Sequence, residues 1–153
     1  AIHEACLAVL GMTSDTDTPQ AKYVDYNGSA AFTCYFASAA GKTASSDSVW
    51  GGGDKYPYLC GGVSSPETVD ATEVTISAED MKALILEYDE KIILDEDPAK
   101  WLEIISHDSS VSENVGYITK IKVGNSEVRG NVFRSYVLDF KIRSHCFTFE
   151  YIS

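Results

Sequence analysis

The sequence predicts an α+β domain in which antiparallel β hairpins pack with about three short helices. Three observations carry this reading. Asn27-Gly28, two residues that tolerate positive φ, separates the β-rich runs 22–26 and 30–36, the pattern of a type I′ hairpin. Gly116 to Val123 alternates apolar and polar residues and stops at Gly124-Asn125, a turn that leads into Glu127-Val128-Arg129 as a second hairpin. Ser77, followed three residues later by Asp80, resembles a capping box that starts a helix running to about Tyr88. With 153 residues, the chain can bury about 68–70% of the surface its unfolded form exposes. It therefore needs neither metal nor disulfide to fold, and residues 1–153 are read as one domain.

The other elements follow in order. Ile2 to Leu10 crowds apolar residues at helical spacing and ends at Gly11, a suitable C-terminal stop, so an opening helix is expected. Ser14 to Pro19 is a polar loop without periodicity. Residues 37–66 are rich in Ser, Gly and Ala and hold Gly51-Gly52-Gly53 and Gly61-Gly62, which predicts a long irregular loop. Loops of that length are functional or disordered, and the interleaved Trp50, Tyr56 and Tyr58 argue against disorder. Glu73 to Ile76 alternates as a strand. Ala99 to Ser106 fits a helical face through Trp101, Leu102, Ile104 and Ile105, but its β-branched pair favours a strand. Val132, Phe133, Tyr136 and Val137 recur at helical spacing within 131–138. His145 to Ile152 alternates again, so the domain is expected to end in helix then strand.

Charge and motif arithmetic narrows the function. The net charge of −11 repels phosphate backbones, so nucleic acid is not an expected partner. The imbalance is local: residues 73–97 carry nine carboxylates, whereas Lys120, Lys122, Arg129, Arg134, Lys141 and Arg143 supply half the basic residues. No apolar run approaches the ~18 residues needed to cross a bilayer, and the first residues lack the basic flank and apolar core of a secretory signal. Cys6, Cys34, Cys60 and Cys146 are scattered without zinc-site spacing, and Cys34 and Cys60 read as small buried hydrophobes. Gly41-Lys42-Thr43 matches the end of a phosphate-binding loop, but Phe36 stands where that motif requires glycine. No nucleophile elbow or calcium-loop spacing occurs. His145 and Cys146 are adjacent on an expected strand and would point to opposite faces. No cofactor, metal site or catalytic residue is expected on this chain.

Tyr26-Asn27-Gly28 leads into Tyr35-Phe36-Ala37-Ser38-Ala39-Ala40-Gly41-Lys42-Thr43. Val49-Trp50-Gly51, Pro57-Tyr58-Leu59 and Val63-x-Ser65-Pro66 then follow in order. Near the C-terminus come Val128-Arg129-Gly130-Asn131-x-Phe133-Arg134 and Ser144-x-Cys146-Phe147. This ordered set resembles the stage II sporulation protein D (SpoIID) family, related to the amidase enhancer LytB, and spans nearly the whole chain. The resemblance implies an extracytoplasmic, cell-wall-associated bacterial protein that acts in peptidoglycan remodelling. Its ligand would be glycan strands stripped of their stem peptides, which characterised members cleave as lytic transglycosylases, and a cell-wall amidase is a further implied partner.

In that chemistry one carboxylic acid protonates the glycosidic oxygen and then, as base, helps the muramyl 6-hydroxyl close an anhydro ring. The family carries this glutamate in a segment resembling Glu-Ala-Leu-Lys-Ala-Gln, and residues 1–20 do not match it. The chain is thus expected to be the C-terminal portion of such a protein, without its acid and inactive alone. Cys60 stands where the family tends to have lysine after Tyr58-Leu59. Phe36 and Ala40 replace the His and Cys that bind zinc in some members. The resemblance makes residues 37–66 one wall of a glycan groove, with Trp50 and Tyr58 offering flat faces to sugar rings and Ser38, Lys42 and Thr43 offering hydrogen bonds. The alternative is that Trp50 and Tyr58 pack in the core and the glycines merely permit tight turns. A noncatalytic module that docks an amidase is the other functional class left open.

Overall fold

A computed structural model describes residues 24–34, 39–64, 71–108 and 116–152. The chain divides into two compact units, Ala1–Tyr35 and Phe36–Ser153. In the first, β1 (Asp25–Tyr26) pairs antiparallel with β2 (Ser29–Ala30) in the register Asp25↔Ala30 and Tyr26↔Ser29. Asn27 and Gly28 take φ of 53° and 80°, the double positive φ that a type I′ turn requires. The Asp25 carboxylate accepts from the Gly28 amide at 3.1 Å. The ladder is shorter than predicted, and residues 22, 23, 35 and 36 lie outside the described residues, as do the expected helix 2–10 and loop 14–19.

The second unit is built on a three-stranded antiparallel sheet ordered β3 (Leu102–Asp108), β4 (Tyr117–Val123), β5 (Ser126–Val128). Among the described residues, three α-helical segments accompany it. They are α1 (Ser46–Trp50), α2 (Ala78–Tyr88) and α3 (Gly130–Val132), the last continued by a π turn over Phe133–Val137. The mixed content is that of a small α+β fold, as the sequence predicts. Helix α2 starts where Ser77 Oγ accepts from the Asp80 amide at 3.0 Å and donates to its carboxylate at 2.7 Å. The cap satisfies one of the amides orphaned at the helix start from three residues away, so this start is a local decision.

The core lies between the sheet and helices α2 and α3, where Ile85, Ile92, Ile118, Ile121, Val123, Phe133, Val137 and Leu138 form one buried cluster. Simple alternation along β4 would bury Thr119, Ile121 and Val123 on one face. Instead Ile118 and Ile121 are both buried, because the β3–β4 register slips on either side of Ser106↔Lys120. Ile105 on β3 and Thr119 on β4 are each passed over, and the paired irregularities re-aim the strand end inward. Gly130 starts α3 directly against this strand, for a Cβ there would overlap the carbonyl of Ile118. Gly124 turns at φ 57° with its amide donating to the Trp101 carbonyl at 2.7 Å.

Several expectations are corrected. Residues 73–76 form no ladder, and Glu73, Val74 and Thr75 are exposed. Residues 145–152 are likewise not a strand: the amide of Ile118 donates to the His145 carbonyl at 2.9 Å, and the segment beyond is unladdered. Phe147 stacks on Phe133 at 5.9 Å between centroids, while Phe149, Tyr151 and Ile152 are exposed. Alternation identifies a strand only when a neighbouring edge supplies a ladder of hydrogen bonds, and among the described residues the single bond at His145 is not continued. The predicted helix 131–138 exists but opens into a π turn after one turn. Cys34 and Cys60 are exposed rather than buried.

Candidate functional site

As its glycines predict, the stretch 39–64 is mostly irregular, with one short α-helix and one 3₁₀ turn. Its base is closed by an antiparallel bridge, Lys42↔Ser64. Thr43 reinforces it three times: its amide donates to Val63 O at 2.9 Å, its carbonyl accepts from Gly62 at 2.8 Å, and its hydroxyl accepts from the Val63 amide at 3.2 Å. Within this clasp, α1 is capped by Ser45, whose hydroxyl accepts from the Ser48 amide at 3.1 Å, and it stops at Gly51 with φ 67°. The Ser46 amide donates to Leu59 O at 2.8 Å, which folds the return strand of the loop against the helix start. Gly61 makes this possible, since at φ 75° a Cβ would sit 2.7 Å from the backbone carbon of Ala44. Any side chain there would push the two limbs apart.

Three side chains from distant parts of the sequence tie the loop to the sheet. Tyr117, the first residue of β4, donates its phenolic hydrogen to the Lys42 carbonyl at 2.8 Å and accepts from the Ala40 amide at 3.0 Å. Ser45 donates to the Asp108 carboxylate at 3.0 Å, which places the end of β3 beneath the α1 cap. Arg129 reaches back from the β5–α3 junction to donate to the Trp50 carbonyl. Its guanidinium lies flat against Gly51, in the space a Cβ would need.

Beneath Tyr117 sits His145, 8% exposed, with ring centroids 4.9 Å apart. Among the described residues, the buried His145 Nε2 has no hydrogen-bond partner. Burial lowers the His145 pKa to about 4, assisted by the positive charge of Arg134 and opposed by Asp108, so the ring is neutral at physiological pH. The same burial pushes the Tyr117 phenol and the Cys146 thiol up, the former offset in part by the Ala40 amide. Each of these groups is held in its uncharged form around neutral pH.

The predicted site residues take distinct places. Ser38 lies outside the described residues. Lys42 and Thr43 form the base of the clasp, where the Lys42 backbone and the Thr43 hydroxyl hold the loop closed. Trp50, the last residue of α1, is 48% exposed, and Tyr58 is half-buried beside Tyr56 in an edge-on pair 6.3 Å apart. Lys55 stands over the Tyr56 ring at 5.1 Å. Two shallow depressions lie elsewhere on the described surface. One of about 680 Å³ is lined by Ile93, Leu94, Lys100 and Asn125, and one of about 570 Å³ by Val74, Asp80, Leu84 and Lys141.

Sequence reasoning missed the residues that brace the loop: Ser45, Asp108, Tyr117, Arg129 and His145. Their partners are 63 to 79 residues away for the direct ties, a range at which no spacing rule operates. Among the described residues, no group of three or more His, Cys, Asp or Glu side chains is arranged to hold a metal, and no helix is long and apolar enough to cross a membrane. What the surface offers chemically is an exposed indole, an edge-on tyrosine pair and cationic groups. Compared with known protein families and with curated proteins, the sequence matches no family model and no curated protein.

Proposed function

We propose that this chain is the glycan-binding part of a bacterial cell-wall protein resembling SpoIID, and that it holds peptide-stripped peptidoglycan strands on the surface carried by residues 39–64. The observation that supports this reading is the position of Trp50. Its indole ends a short helix, 48% exposed, on a loop secured through backbone groups, Thr43, Ser45, Tyr117 and Arg129. A rigidly mounted, flat apolar face suits the C–H face of a pyranose ring, and pre-organisation keeps the ordering cost of binding low. The order of motifs from Tyr26-Asn27-Gly28 to Ser144-x-Cys146-Phe147 supports the choice of glycan over other apolar ligands.

Cleavage in this reading needs a carboxylic acid that protonates the glycosidic oxygen and then accepts the proton of the muramyl 6-hydroxyl as the anhydro ring closes. Two carboxylates at the loop have other tasks, since Asp108 accepts from Ser45 and Asp47 accepts from the Gly53 amide at 2.8 Å. The 153 residues by themselves are thus expected to bind without turnover, and anhydromuramyl product formed by them would contradict this assignment.

Binding is directly testable because the two tryptophans differ. Trp101 is 7% exposed and donates its indole N–H to Asp95 O at 2.7 Å, so a ligand-dependent emission change reports Trp50. Titration with peptide-free glycan oligomers should give a saturable emission shift at up to millimolar ligand, about −4 kcal/mol. The shift should vanish in Trp50→Phe. Unchanged emission and unchanged amide shifts around residue 50 at that concentration would remove the glycan surface.

A further inference from the structure

We infer that this chain associates with a second copy of itself about a two-fold axis, Phe140 of each copy entering the depression beside helix α2 of the other and Lys141 meeting Glu87 across the contact. The face used carries none of residues 39–64 and is independent of the glycan surface.

The depression of about 570 Å³ joins apolar side chains to charges of both signs. Val74, Ala83 and Leu84 supply the apolar part, Asp80 and Glu87 come from α2, and Lys141 comes from the segment after the π turn. Asp80 is engaged by Ser77 at the helix start. Glu87 and Lys141 line the same depression, yet among the described residues neither forms an ion pair. The sheet lysines differ, Lys120 pairing with Glu127 at 3.0 Å and Lys122 with Glu103 at 3.8 Å.

Phe140 is the complement of this hollow. It precedes Lys141 in the chain and is 60% exposed. Asp139 and Phe140 take φ of 44° and 57°, a region that a side chain as bulky as Phe rarely enters. The turn is held there by the Phe140 amide, which donates to the Arg134 carbonyl at 3.0 Å, and by the Lys141 amide, which donates to the Leu138 carbonyl at 2.9 Å. The Arg134 guanidinium lies over the Phe140 ring, 4.9 Å from its centroid. A strained backbone thus holds a large apolar ring in solvent at a fixed angle, and strain of this kind gathers where a fold makes functional contacts. A ring fixed in advance loses little freedom on docking, and a phenylalanine buries about 150–250 Å² when covered.

Two features select a second copy as the occupant. Knob and hollow are neighbours, since Lys141 lines the depression and Phe140 precedes it. An isologous contact requires this, one patch serving both copies so that each residue meets its counterpart's neighbour twice. The charges are also self-complementary. Residues 134–143 hold Arg134, Lys141 and Arg143 against the single acid Asp139, whereas residues 73–97 carry nine carboxylates. A two-fold rotation lays the basic segment of one copy on the acidic helix of the other. At a net charge of −11 the copies repel over the rest of their surfaces, which confines the contact to this face. One ring and one ion pair per copy make a small interface, for which a Kd of about 10–100 μM is expected.

Sedimentation of the whole chain from about 10 μM to about 1 mM should pass from monomer to dimer, with the amide shifts of Val74, Ala83, Leu84 and Lys141 moving along the same curve. Phe140→Asn suits the positive φ, because Asn enters that region readily. It should melt at the same or a higher temperature in dilute solution, yet weaken the dimer about tenfold or more. Lys141→Glu and Glu87→Lys should each be monomeric alone, since each sets like charges against each other. Mixing the two should restore the dimer, because every contact of the mixed pair again joins opposite charges. A monomer up to about 1 mM, a mixture no more dimeric than its components, undiminished dimerisation by Phe140→Asn, or a dimer whose shifts fall along the outer edge of β3 would overturn the inference. Phe140-dependent partition of a monomer onto phosphatidylglycerol vesicles would assign the ring to a lipid surface and overturn it as well. None of these results bears on glycan binding at Trp50.

Discussion

Acidification should destabilise this protein through His145, and the size of the effect can be worked from its surroundings. The ring is faced by Tyr117 from β4, Asp108 from β3, Arg134 from the π turn and its neighbour Cys146. Only Asp108 favours the imidazolium, and burial together with Arg134 outweighs it, so the folded-state pKa is about 4 against 6.5 when unfolded. A depressed pKa means that the unfolded chain takes up the proton first. The stability held by the neutral ring is complete above about pH 6.5 and is lost as pH falls toward 4. Linkage over that interval amounts to about 3 kcal/mol, of which about 2 kcal/mol disappears between pH 7 and pH 5. For a chain of this length that is a fall in Tm of roughly 4–8 °C. The assay is thermal unfolding from pH 7 to pH 5, comparing wild type with His145→Gln, whose side chain does not titrate. The carboxylates titrate alike in both proteins, so the variant should show a smaller fall by that amount, whatever its stability at pH 7. Parallel pH curves for the two proteins would refute the reasoning, because a ring that kept its ordinary pKa on folding could not contribute to the slope.

Three further outcomes follow from the same geometry. Tyr117→Phe removes the hydroxyl shared by the Ala40 amide and the Lys42 carbonyl. It should cost about 1–3 kcal/mol, with hydrogen exchange of the Ala40 amide accelerating before that of the Ile121 amide. Gly130→Ala places a methyl group into the Ile118 carbonyl, where backbone meets backbone and neither can yield cheaply. A loss of about 1–3 kcal/mol in urea unfolding is expected, and an unchanged midpoint would show that α3 can slide. On the alkaline side, the raised pKa of Cys146 means that its stability is present below pH 9.0 and lost as pH rises through the folded value. Cys146→Ala should flatten the first part of that decline in a pH series of Tm.

How much of this was legible depends on how far apart the deciding atoms are. The Asn27-Gly28 turn, the Ser77–Asp80 start of α2 and the Gly124-Asn125 turn are settled by residues within a few positions of each other, so conformational preference and local hydrogen bonding suffice to place them. The aromatic residues of the candidate site were equally readable, since Trp50 and Tyr58 interrupt a small-residue stretch that no core periodicity explains. Their mounting was not. Glycines at 51 and 61 looked like licence for irregularity, whereas each admits one specific neighbour, the Arg129 guanidinium and the Ser45 backbone.

Chain-local patterning thus determined the α+β class, the turns, the helix start and the stretch that carries the candidate site. Tertiary structure alone decided the inward turn of Ile118, the absence of a ladder along 145–152, the neutral buried His145 and the bracing of Trp50 from Tyr117, Asp108 and Arg129. The physical reason is common to all four. A pattern of apolar and polar residues states what a segment can bury, but burial, hydrogen-bond partners and a shifted pKa belong to pairs of groups, and those pairs exist only once distant strands and loops have met.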